Sequence, residues 1–94
     1  MIRSFGDKQT RRLAAGLRSR AFPPEIQEKA FRLLRIMEEC GDWNELRSPP
    51  GNKLHALHGN RKGQYAIWIN RQWRIVFTPV EGALADVAIE DYHG

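Results

Sequence analysis

Apolar residues recur at Ile26, Ala30, Leu33, Leu34 and Met37, three or four positions apart, and that period predicts a helix. Pro23-Pro24-Glu25 opens it, since proline is tolerated in a first turn and an acid is favourable at the positive end. Gly41 stands where a left-handed residue would close it. A weaker helix is expected upstream, from an N-cap at Asp7 to about Leu17, with Leu13, Ala14 and Leu17 on one side and Gly16 weakening its end. Ile2 to Phe5 suits a short first strand. Trp43 and Leu46 are expected to fold back on the core as a short turn. Ser48-Pro49-Pro50-Gly51-Asn52 is a loop.

After that loop the period shortens. Leu54 to Leu57, Gln64 to Ile69, Trp73 to Thr78 and Leu84 to Ile89 are short apolar-rich runs joined by short polar or glycine-bearing connections. Such connections imply antiparallel neighbours. The expected architecture is α+β, with two N-terminal helices packed on one face of a small antiparallel sheet, in one domain over residues 1–94. The other face of the sheet must then be polar or bind something.

Composition fits a globular chain, with 41% hydrophobic and 28% charged residues. No apolar run approaches the roughly 20 residues of a membrane span. The opening residues lack a signal-peptide pattern, so a cytoplasmic protein is expected. Cys40 is the sole cysteine, which excludes an internal disulfide, and there is no cluster for zinc; neither metal nor other cofactor is expected. Cys40 suits a small buried position better than a reactive one.

Charge is unevenly spread. Residues 1–20 hold six basic groups against Asp7, a net +5, and residues 47–74 hold six with no acid, a net +6. Residues 21–46 and 75–94 carry −3 and −4. Two basic blocks suit a polyanion as well as they suit a merely solvated surface.

Strand alternation sorts the candidate chemistry. If Trp73, Ile75 and Phe77 face the helices, Arg74 projects from the open face. One register puts Lys53 and His55 beside it. Glu90 and Tyr92 would share that face, with Asp91 and His93 pointing the other way unless the strand has ended. RNA can be cut without a metal when the 2′-hydroxyl is the nucleophile. A group must take its proton, a cation must hold the phosphate, and an acid must protonate the leaving oxygen. Histidine, arginine and tyrosine fill such roles. His55, His93, Arg74 and Tyr92 would supply them. Each also has a plainer reading. His55 and His58 suit a strand and its turn, and Arg74 could pair with Glu90 or Asp91 across the sheet. Trp43, Trp68 and Trp73 suit a core, although Trp68 could line a face. Glu38 and Glu39 are adjacent on a helix and do not face one another.

Several motifs together resemble the HigB-type toxins of the RelE superfamily. They are Ile2-Arg3-Ser4-Phe5, Lys53-Leu54-His55-Ala56-Leu57 with Gly59-Asn60-Arg61-Lys62-Gly63, Tyr65-Ala66-Ile67-Trp68-Ile69, Trp73-Arg74-Ile75-Val76-Phe77 and Glu90-Asp91-Tyr92-His93. The likeness spans nearly the whole chain and is most specific over residues 53–93. It implies a microbial RNase fold and cleavage of messenger RNA in the ribosomal A site. The implied catalytic residues are His55, Arg74, Asp91, Tyr92 and His93, with Lys53, His58, Arg61 and Lys62 for phosphate. His58 departs from the pattern, since relatives can carry a lysine there. The implied partners are a HigA-like helix-turn-helix antitoxin, the ribosome and its messenger RNA, with operator DNA reached only through the antitoxin complex and no membrane. Two other functions stay open: a ParE-type toxin of the same fold that acts on DNA gyrase without a paired-histidine site, and an inactive binding module.

Overall fold

A computed structural model describes residues 1–92. Two helices, α1 (Lys8–Ala14) and α2 (Pro24–Glu39), precede four strands, β1 (His55–Ala56), β2 (Tyr65–Trp68), β3 (Trp73–Val80) and β4 (Ala83–Asp91). The strands form one antiparallel sheet in the order β1-β2-β3-β4, as their short connections predict. The α+β expectation therefore holds, and both helices cover the same face. No helix of the described residues is long and apolar enough to cross a membrane.

The main core lies between helices and sheet. Leu13 of α1, then Ile26, Ala30, Leu33, Leu34 and Met37 of α2, meet Ile67, Ile75, Phe77, Leu84, Val87 and Ile89. The helical spacing of the first group and the alternation of the second are what bring them together. The short 3₁₀ helix Trp43–Arg47 closes one side with buried Leu46, as expected of that segment. Cys40 is also buried.

Some local expectations fail. Helix α2 ends in an extended Cys40 (φ −71°, ψ 141°), so Gly41 is not a left-handed cap. Gly16, at φ +86°, takes that role just beyond α1, which stops at Ala14 rather than Leu17. Ile2–Phe5 makes no regular strand. It touches β4 through two isolated parallel bridges, Ile2 to Leu84 and Phe5 to Val87. A register shift near Asp86, whose φ is +52°, separates those bridges. The extra residue reverses the alternation, which lets Leu84 face the core along with Val87 and Ile89. Strand β1 is only two residues long, because Lys53 at φ +50° ends the preceding turn in a left-handed conformation.

The open face is not uniformly polar. Leu57, Ala66 and Val76 form a second small buried cluster there.

Candidate active site

Register fixes which side chains share the open face. His55 pairs with Ala66, which pairs with Val76, which pairs with Ala88. The neighbouring row runs Trp68, Arg74, Glu90. Cross-strand partners point to the same side, so His55 and Arg74 do lie on one face.

Arg74 is the centre of this arrangement. It is only 4% exposed. Its guanidinium carbon sits 4.0 Å from the ring centre of Trp68 and 4.4 Å from that of Tyr92. The two rings offer the cation their electron-rich faces. Nη1 donates to the carbonyl of Asn70 and, at 3.4 Å, to that of Trp73. Nε is buried without a hydrogen-bond partner among the described residues. Burial pushes the guanidinium down from its ordinary value, and Tyr92 partly offsets this. A buried donor left unpaired costs stability unless a ligand satisfies it. Arg74 makes no ion pair with Glu90, although the two are directly opposite. Glu90 is taken by Arg61.

His55 lies beside the same stack, its ring edge-on to Tyr92 at 6.5 Å between centres. Nδ1 is 2.8 Å from the carbonyl of Lys53. A carbonyl only accepts, so Nδ1 carries the hydrogen and the neutral ring presents an unprotonated Nε2. That nitrogen can accept a proton, and can return one once charged. Lys53 places its ammonium 4.3 Å from the Trp68 ring centre, so Trp68 is shared by two cations.

The turn between β2 and β3 holds these groups in place. The side chain of Asn70 accepts from the backbone of Gln72 and of Trp73, both at 2.8 Å, which shapes the turn. Its carbonyl then meets Arg74. The carbonyl of Gln72 takes the Tyr92 N–H at 2.6 Å, tying the end of β4 to the turn. The Gln72 side chain donates to Asp91 at 3.2 Å. Asp91 pairs with Trp73, so it belongs to the helix-side face, opposite Arg74.

The basic turn after β1 is differently employed. Arg61 forms a two-point ion pair with Glu90, at 2.7 Å for both contacts, and donates to Gln64 at 2.7 Å. The hydrogen bond to Glu90 is the main cause that raises the Arg61 pKa. The pair ties the turn between β1 and β2 to β4, across the open face of the sheet. His58 and Lys62 are exposed at the two ends of this turn.

Of the residues expected from sequence, the structure gathers His55, Arg74, Tyr92 and Lys53. It leaves His58 and Lys62 on an exposed turn and commits Arg61 to Glu90. His93 lies outside the described residues. Trp68, which alternates with Ile67 and Ile69, lines the open face, the second of the two placements its pattern allows. Asn70 reads in the sequence as part of a connection, and no local signal marks it as the mount for Arg74. Among the described residues, no group of three or more histidine, cysteine or acidic side chains could hold a metal ion.

Comparison with known proteins bears on what this face does. A family model for HigB-like toxins, described as the RelE-like toxin of the type II toxin–antitoxin system HigB, matches residues 3–93. Toxin HigB-1 of Vibrio cholerae serotype O1 is 35% identical over 75 residues, which is 80% of this chain and 79% of that one. Endoribonuclease HigB of Proteus vulgaris is 29% identical over 93 residues, 99% of this chain and 100% of that one. A crystal structure of a YafQ variant from E. coli aligns with a TM-score of 0.62 at 17% identity, over 97% of this chain and 93% of that one. A second YafQ structure gives 0.56 at 14% identity, with the same coverage. At these identities the YafQ likeness speaks to the fold alone.

Proposed function

Because this chain belongs to the HigB-like family of RelE-like toxins of type II toxin–antitoxin systems, and therefore has an antitoxin for a partner, we propose that it is an endoribonuclease acting on messenger RNA in the ribosomal A site. The observation that carries this reading is the Trp68–Arg74–Tyr92 stack beside His55. It offers a buried cation with a donor still unpartnered, next to an imidazole whose Nε2 is unprotonated when neutral. The name of the Proteus vulgaris relative, an endoribonuclease, supports it.

In this mechanism the 2′-oxygen attacks the adjacent phosphorus as its proton passes to one histidine. The bond from phosphorus to the 5′-oxygen breaks, and the other histidine protonates the leaving oxygen. His55 and His93 share these roles. Arg74 neutralises the charge that grows on the non-bridging oxygens. Tyr92, stacked on Arg74 and half exposed, positions the nucleotide. Asp91 acts through Gln72 on the turn that holds Arg74 and Tyr92. Lys53, His58 and Lys62 attract the strand, and Arg61 braces the turn that carries His58 and Lys62. The toxin acts in the cytoplasm as one domain without a cofactor. A helix-turn-helix antitoxin silences it and brings it to operator DNA.

A defined messenger RNA, incubated with the purified chain with and without ribosomes, tests this. Cleavage is expected only with ribosomes, and His55→Gln should lower its rate by roughly 10²–10⁴-fold. Full activity in both His55→Gln and His93→Ala would sink the assignment. Absence of any cut by the folded chain would sink the nuclease reading itself.

A further inference from the structure

Of the two neighbouring acids at the end of β4, Asp91 belongs to the helix-side face and Glu90 to the open face, directly opposite Arg74. Opposite charges so placed across two strands attract. Arg74 is also receptive, because its buried Nε has no hydrogen-bond partner among the described residues. Its Nη1 is committed to the carbonyls of Asn70 and Trp73, which leaves the Nε side for an incoming oxygen. A carboxylate there would occupy the donor that a phosphate needs. It would also cancel the charge meant for the non-bridging oxygens.

The carboxylate goes elsewhere, and Arg61 is the reason. Nη1 and Nη2 of Arg61 meet the two oxygens of Glu90, each at 2.7 Å. Nε donates to the side chain of Gln64 at 2.7 Å, which fixes the plane of the fork. Two parallel bonds of this kind are stronger and more directional than one. The pair also stays partly in water, whereas reaching the 4% exposed Arg74 would strip Glu90 of its hydration. Every nitrogen of the Arg61 guanidinium is thus engaged by a neighbour, which suits it poorly to gripping a phosphate.

We propose that Arg61 is a positioning residue that acts on the reaction through Glu90. By holding that carboxylate it keeps Glu90 off Arg74, and the guanidinium stays open to the scissile phosphate. The proposal rests on the nuclease reading above. It differs in its consequences from a simple bracing of the turn. Bracing is lost whichever partner is removed. Guarding is lost only when Arg61 is removed and Glu90 remains.

The test measures kcat and KM of ribosome-dependent cleavage for Arg61→Ala, Glu90→Ala and the double variant, with thermal melts to check that each folds. Arg61→Ala should lower kcat by at least about fivefold, since Arg74 acts on charge that grows in the transition state. Glu90→Ala alone should stay within about twofold of wild type, and the double variant should return to that level. Arg61→Ala/Glu81→Gln restores the same net charge from the turn between β3 and β4 and should remain slow. In the free protein, the NMR signal of the Arg74 Nε–H should shift in Arg61→Ala and return in the double variant. Equal losses in Arg61→Ala and Glu90→Ala would leave bracing alone and overturn the proposal. So would a deficit that persists in the double variant, an Arg74 signal that does not move, or a rescue by Glu81→Gln as complete as that by Glu90→Ala. If the wild-type chain cuts nothing, the nuclease reading falls and the guard with it. If it cuts and Arg61→Ala matches it, the guard alone falls.

Discussion

A guanidinium that is 4% exposed has lost most of its hydration, and among the described residues no carboxylate forms an ion pair with Arg74. Its stabilising contacts are two aromatic faces and two backbone carbonyls. Stacking of this kind contributes about 0.5–2 kcal/mol. Desolvation of an uncompensated charge costs several kcal/mol. Under the proposed mechanism, function and stability therefore oppose each other at this position. Arg74→Met should unfold in urea with a stability equal to wild type or up to about 1 kcal/mol higher, while cleavage falls roughly 10²-fold. A loss beyond about 2 kcal/mol would show that Trp68 and Tyr92 more than offset the desolvation. The arginine itself was legible in the sequence, because alternation with Trp73 and Ile75 sends it to the open face. Its aromatic sandwich was not, since Trp68 is on β2, Arg74 on β3 and Tyr92 just past the end of β4, and no local pattern states how these meet.

Helix α1 has seven residues, too few to be stable alone, and its anchors are specific. Thr10 is fully buried. Its hydroxyl donates to Asp7 at 2.9 Å and accepts from the Ile89 N–H at 3.0 Å, linking helix to β4. Thr10→Val keeps the shape and leaves that buried N–H unpaired, so chemical denaturation should register a loss of about 1–3 kcal/mol. A change under about 0.5 kcal/mol would mean that β4 finds another acceptor. The N-cap role of Asp7 was readable, but the tie from Thr10 to a strand 79 residues away was not. The turn after β1 has a comparable long-range brace in Arg61–Glu90. Its side chains are 40% and 37% exposed, so solvent screens the pair. A double-mutant cycle with Arg61→Ala and Glu90→Ala should return a coupling of about 0.5–1 kcal/mol, and a value near zero would mean that the turn holds itself. The raised Arg61 pKa means that on the alkaline side this contribution, present at neutral pH, is lost as pH climbs through a strongly alkaline range.

Across the whole fold, the chain stacks two helices on one face of a sheet, and the proposed chemistry uses the other. All groups named for that chemistry are organic side chains. Chelator at a level that leaves ribosomal magnesium in place should therefore leave the cleavage rate within about twofold, and a rate that collapses in chelator and recovers with added metal would refute the mechanism.

The order of the two helices and the four strands after them, the antiparallel sheet and the burial of the α2 stripe were legible in the sequence. Those follow from period and from connection length, which are local properties. It also singled out His55, Arg74 and Tyr92, because residue chemistry and strand parity are local too. Tertiary structure decided the rest. The shift near Asp86 let Leu84 enter the core, the β2–β3 turn became the mount for Arg74 and Tyr92, and Glu90 went to Arg61 rather than to the arginine opposite. Each is a choice among partners distant along the chain, made by packing and hydrogen-bond satisfaction across the whole fold, and a one-dimensional pattern carries no energy term for that choice.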